Sequence, residues 1–175
     1  EEAPSGGIDL FAEIPRRRTS HLPFDERPLT AREQEILLSV TDAQGVELQL
    51  LGEREPIRRI ADLSAEADRV QFKDPAWRRE LGRWIGSGVL GTRWPVSRIV
   101  QMVVTLFDMG KSTGRKNAAL IAGAPAVGVL WTHTDSGEDR VRVGRAYERV
   151  ALAASAMGIG THPLSQALEV PRLKD

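Results

Sequence analysis

Apolar positions along the chain change period several times, and each change predicts an element. Ile8, Phe11 and Ala12 make one short amphipathic turn ending near Glu13. Pro15 to Pro28 is irregular, rich in Arg and broken by Pro23. Thr30-Ala31-Arg32-Glu33 has the capping-box form, in which hydroxyl and carboxylate each take an orphan helix N–H. The helix it opens should run to about Thr41, with Ile36, Leu37 and Val40 inward. Val46 to Leu50 alternates apolar and polar residues and predicts a strand. Pro56 to about Phe72 carries Ile57, Ile60, Ala61, Ala67 and Val70 at helical spacing. Asp74-Pro75 is an N-cap followed by Pro at the first helical position, so a helix should run to about Ile85. Residues 86–97 predict a loop, and Ile99 to Phe107 fits either a helix or a buried strand. Lys116 to Ala122 predicts a helix, Ala126 to Thr132 a buried strand, and 134–139 a polar turn. Arg140 to Met157 is the clearest helix, with Val143, Tyr147, Val150, Ala151 and Ala154 on one face. Gly158 stops it where a left-handed residue is needed, and a further helix is expected just before Lys174-Asp175.

This order is helix-rich with two well-separated strands, which is α+β or α/β, without internal repeats. The 175 residues suit one domain. Residues 1–7 (EEAPSGG) are expected as a flexible tail and 8–175 as a single domain. The first residue is Glu1, and the expectation is a piece of a longer protein, truncated at one or both ends. Charge then narrows the function. The 24 Lys+Arg balance 24 Asp+Glu, which argues against a polyanion binder such as a nucleic-acid module. Cys is absent, which removes disulfides, thiolate catalysis and Cys-type zinc sites. The longest apolar run, Ala118 to Trp131, is interrupted by Gly123, Pro125 and Gly128, so no membrane span is expected. No signal-peptide pattern opens the sequence, and Arg16-Arg17-Arg18 is not followed by an apolar stretch; a cytoplasmic location is expected.

Several motifs fail on context. Gly86-Ser87-Gly88-Val89-Leu90-Gly91 fits G-x-G-x-x-G, but a predicted helix precedes it and Pro95 follows. A dinucleotide fingerprint needs a strand before and a helix after. Gly110-Lys111-Ser112 resembles the end of a P-loop, but its first Gly would fall on Thr105. His21, His133 and His162 are scattered, so no metal site is expected. No G-x-S-x-G elbow is present.

Two segments remain. In residues 13–24 (EIPRRRTSHLPF), arginines and hydroxyls precede a capped helix and can hold a phosphate by charge-assisted bonds. In residues 145–164, small side chains from Ala151 to Ala156 let a planar ligand or a sheet approach, and the Gly158–Pro163 turn exposes backbone N–H groups. The same residues also fit a solvated basic face and an ordinary Ala-rich core helix.

The first segment resembles the Arg-Arg-Ser segment of the nitroreductase family, which uses FMN. The second resembles that family's small-residue helix, Gly-Leu-Gly and Pro turn. The spelling is closest to the Acg-like branch, which Arg-x-Thr-x-x-x-Pro-Phe, His-Pro-Leu-Ser-Gln and residues 74–81 (DPAWRREL) also resemble. The resemblance implies an α+β fold with a central mixed or antiparallel sheet flanked by helices, possessed here in part. It implies hydride transfer from NAD(P)H to FMN and on to a nitro- or quinone-like acceptor, with no catalytic side chain. Arg17 or Arg18, with Thr19 and Ser20, would contact the ribityl phosphate side. Pro163, Leu164, Ser165 and Gln166 would lie along the isoalloxazine, and Asn117 would face its pyrimidine edge. A homodimer, or pairing with a second nitroreductase-like half, would complete the site. The chain departs from the family at Leu22, where many members carry a cation near the flavin's N1 and O2. That departure favours an alternative, a non-enzymatic flavin holder of the same fold. A helical interaction or nucleic-acid module using Arg16–Arg18 is the third reading.

Overall fold

A computed structural model describes residues 7–41, 45–89, 91 and 93–174. The described residues form an α+β structure dominated by helices: α1 (Leu10–Glu13), α2 (Ala31–Ser39), β1 (Glu47–Leu51), α3 (Arg54–Lys73), α4 (Pro75–Gly86), α5 (Val96–Leu106), α6 (Gly110–Ala122), β2 (Val127–Trp131), α7 (Gly137–Ala156) and α8 (Pro171–Lys174). A 3-10 turn, Gln166–Glu169, precedes α8. The chain divides into two compact units, one of Glu1–Ile57 with Gly123–Pro163, the other of Arg58–Ala122 with Leu164–Asp175. Of the expected tail, residues 1–6 lie outside the described residues.

In the first unit, β1 and β2 pair antiparallel, with Glu47 opposite Trp131 and Leu51 opposite Val127. Leu48 and Leu50 turn to the same side and pack with Ile36 and Leu37 of α2, its C-cap Val40, and Ala153 and Ala154 of α7. The α2 capping box forms as read: Thr30 Oγ1 accepts from the Glu33 N–H at 3.2 Å, and Glu33 Oε2 accepts from the Thr30 N–H at 2.6 Å. Arg27 adds an ion pair to Glu33 at 2.9 Å. These hydrogen bonds, that from Arg27 first, hold the Glu33 carboxyl down at about 2. The long helix α7 begins at Gly137, three residues before the expected Arg140. The expected 134–139 turn conceals a second capping box, in which Ser136 and Asp139 exchange bonds at 3.1 Å in each direction. Asp takes the Glu position there, which the S/T-x-x-E/Q pattern does not include. At its other end Gly158 adopts φ +72°, and the Ile159 N–H reaches back to the Ala154 carbonyl at 2.8 Å.

The second unit is helical. Its α6 starts at Gly110, six residues before the expected Lys116, so Gly110-Lys111-Ser112 is a first helical turn and not a loop. The reason is close packing on α3. A Cβ at Gly110 would lie 2.8 Å from the Asp68 carbonyl, and one at Gly114 would lie 2.8 Å from the Ala65 carbonyl. The 99–107 segment resolves as the helix α5, packed on α4 around Phe72, Ile85 and Val104. Gly82 and Gly86 of α4 leave room for Gln101 and Thr105 of α5. Asp74 caps α4 as read, accepting from the Ala76 N–H at 2.7 Å. Among the described residues, no helix is long and apolar enough to cross a membrane.

Two predictions follow from these contacts. Gly114→Ala should lower stability by about 1–3 kcal/mol, because its methyl meets backbone that cannot step aside. Gly144→Ala, in the exposed middle of α7 with nothing within 4 Å, should raise it by about 0.5–1 kcal/mol. Urea titration reads both, and equal effects would contradict the packing described. The second prediction concerns acid. Because Glu33 is held below its ordinary 4.5, its contribution is complete above that value and lost as pH falls toward 2. NMR titration should show Glu33 charged at pH 3, and Arg27→Ala should move its midpoint upward.

Candidate functional site

The two segments singled out in the sequence meet inside the first unit. Thr19 and Thr161 form an isolated parallel bridge, and the Ser20 N–H donates to the Thr161 carbonyl at 2.8 Å. His162 Nδ1 lies 2.6 Å from the Ser20 carbonyl. A carbonyl only accepts, so Nδ1 is the donor in this bond. The His21 ring stands edge-on to His162 at 5.1 Å. Gly160 allows this approach, since a Cβ there would already sit 3.4 Å from the Ser20 Cβ.

Helix α7 anchors the arm. Buried Glu13 accepts from Ser155 Oγ at 2.9 Å and from Arg16 Nη1 at 3.0 Å. Arg17 Nε pairs with Glu148 at 3.4 Å. Burial pushes the Tyr147 phenol up, against the pull of nearby Arg17 and Thr161. Arg18 is exposed and its Nη1 donates to the Pro15 and Arg17 carbonyls, each at 2.8 Å. Thr19 is exposed, and its hydroxyl has no partner among the described residues. The arm thus presents two arginines, two hydroxyls and an imidazole beside the 160–163 turn. Among the described residues no cluster could hold a metal ion.

The remaining expected site residues belong to the second unit, apart from Pro163, which ends the first and is exposed. Leu164 is half-buried. Ser165 Oγ donates to Glu169 at 3.1 Å, and Glu169 also accepts from Gln71 Nε2 at 2.9 Å. The Oε1 atoms of Gln166 and Gln71 are buried without a hydrogen-bond partner. Asn117 Nδ2 donates to Asp68 Oδ2 at 2.8 Å. Asp68 is 3% exposed; burial raises its carboxyl and the Asn117 bond opposes that rise. Asn117 therefore has a local partner on α3. Sequence reasoning missed His162, Tyr147, Glu148 and Glu13 as parts of the arm's setting. Their partners lie far along the chain, and no spacing signals them.

Two Mycobacterium tuberculosis proteins, from strains CDC 1551 and H37Rv, are each named "Putative NAD(P)H nitroreductase" and are similar to this chain. Each is 27% identical over 174 residues, covering 96% of this chain and 50% of the relative. The chain thus spans about half the length of the curated relatives it matches. They support the nitroreductase-like resemblance. No family profile matches the chain, and no solved structure matches it.

Asn117→Ala should leave Asp68 buried without its amide, at a cost of about 1–3 kcal/mol at pH 7. The folded Asp68 carboxyl would rise further, so the loss is present at neutral pH and shrinks as acid protonates the group. Denaturant midpoints at pH 7 and pH 4 would show it; a pH-independent difference would contradict it.

Proposed function

We propose that the chain is part of an FMN-dependent oxidoreductase of nitroreductase type, closest to the Acg-like branch. It would use NAD(P)H as reductant and a nitro- or quinone-like molecule as acceptor. The observation that supports this best is the pairing of residues 19–20 with 161–162, which places the two family-like segments side by side. The side chains also suit the cofactor. FMN carries a phosphate dianion, and Arg17, Arg18, Thr19 and Ser20 supply cations and hydroxyls. Arg18 is held only by backbone carbonyls, weaker partners than a phosphate. Bound FMN would supply the redox chemistry, while these residues orient it and exclude water. Completion of the site by a second copy, or by a second nitroreductase-like half, belongs to the same proposal.

Leu22 favours a second reading. It is 73% exposed and apolar where a cation would favour reduced flavin. A protein that holds FMN without cycling it would tolerate this.

Residues 1–175, and the full-length gene product from which they come, should be loaded with FMN and passed through gel filtration. Retained flavin is expected from the full-length protein, with Arg18→Ala weakening retention by roughly tenfold, the scale of one charge-assisted contact. Unchanged retention in that variant would count against the assignment. Bleaching by NADPH supports the reductase, and retained flavin that does not bleach supports the holder.

A further inference from the structure

A cleft of about 360 Å³ beside the end of α4 and the start of α5 is lined by residues that include Gly86, Ser87, Arg93, Trp94, Ser97 and Arg98. All of these lie within the second unit. The volume is within the ~300–1,000 Å³ of small-molecule sites. We infer that this cleft takes a phosphate monoester carried on a planar base.

Charge comes first. Arg93 and Arg98 are both exposed, and no carboxylate lines the cleft. The Arg93 guanidinium has no partner among the described residues. Arg98 Nη1 donates to Gln101 Oε1 at 2.9 Å, a neutral acceptor that orients the guanidinium without cancelling its charge. Gln101 reaches that position because position 86 is Gly. A Cβ there would come within 2.1 Å of Gln101 Oε1.

The second observation is a hydroxyl. Ser97 is 2% exposed, lines the cleft, and its Oγ has no hydrogen-bond partner among the described residues. A hydroxyl on the cleft wall without a protein partner is free to meet a ligand. Ser97 stands in the first turn of the 11-residue α5, whose N-cap is Pro95 and which has no side-chain cap. The Ser97 and Arg98 N–H groups at that helix start already donate to the Arg93 and Pro95 carbonyls, at 3.0 and 3.1 Å, so side chains must supply the donors. Two guanidiniums and a hydroxyl are donors from several directions, which suits a tetrahedral dianion. Trp94, 79% exposed on the same cleft, offers a ring face for a base.

This site is not the dinucleotide fingerprint that Gly86 to Gly91 spells, because the helix α4 stands where a strand would have to be. The adenosine 2′-phosphate end of NADPH carries both a phosphate and a base. Only that link to NADPH rests on the proposed function; the binding itself needs no flavin.

The test uses the full chain without FMN, titrated by calorimetry and tryptophan fluorescence with adenosine 2′-phosphate, adenosine and inorganic phosphate. Trp94→Phe identifies the fluorescence signal. Saturable binding of adenosine 2′-phosphate is expected, with adenosine at least roughly tenfold weaker, the scale of a lost ionic contact. Arg93→Ala and Ser97→Ala should each weaken it by about the same factor, and Gly86→Ala should weaken it by displacing Gln101 and freeing Arg98. Arg93 is exposed, so its variant should keep the wild-type melting curve and decides the matter if Ser97→Ala alters folding. Equal affinity for adenosine and adenosine 2′-phosphate, or unchanged affinity in Arg93→Ala, would overturn the inference. Inorganic phosphate binding as tightly as the nucleotide would overturn the base on Trp94. FMN retention should be the same in Arg93→Ala as in wild type, which separates this site from the flavin reading.

Discussion

Close approach to the C-terminal half of α7 is the constraint on which the first unit depends. Ala151, Leu152, Ala153 and Ala154 are all buried. A helical turn has 3.6 residues, so four buried in succession mean that the helix is covered on every side. Three of the four are alanines, which lets the covering segments come close. The apolar face of α2 and the strand residues Leu48 and Leu50 lie against this stretch. One residue further on, Ser155 bonds the carboxylate of Glu13 and so ties down the N-terminal arm. The arm can then run beside the turn after Gly158, and the 19–161 bridge becomes possible.

Glycine does comparable work in the second unit, but at helix interfaces and not at turns. Gly110 and Gly114 bring α6 against the backbone of α3, and Gly82 and Gly86 bring α4 against α5. One glycine of each pair, Gly110 and Gly86, falls within a sequence that resembles a phosphate-binding motif. In Gly110-Lys111-Ser112 the glycine is accounted for by packing, since α3 occupies the space beside it. At Gly86 packing has a second consequence, because the side chain it admits, Gln101, is the one that orients Arg98.

Formal neutrality conceals how the charges are arranged. Several arginines are turned onto local carboxylates: Arg27 on Glu33, Arg140 on Asp135, Arg142 on Glu138. Such exposed pairs contribute little to stability and mainly hold the side chains. The arm differs by degree. Arg17 has a carboxylate on α7, whereas Arg18 has only backbone carbonyls, so Arg18 is the cation more readily released to an incoming anion. Glu13, Glu148 and Tyr147 set this arrangement from beneath.

The amino-acid sequence determined the local chemistry by itself. The capping box at Thr30, the Asp74-Pro75 start, the Gly158 stop and both strands were legible because each depends on residues within about four positions or on a simple period. The family-like segments were legible for the same reason, as spellings. Tertiary structure decided what those spellings touch. Thr19 meets Thr161, Arg149 Nε meets the Val40 carbonyl at 2.9 Å, and Asn117 meets Asp68 across 49 residues of chain. It also decided that 99–107 is helix, because α4 offered a face for one, and that α6 begins at Gly110, because α3 admits no side chain there. Periodicity records which side of an element is apolar. The identity of the surface that covers it depends on packing among segments distant in sequence, and so only the folded chain contains it.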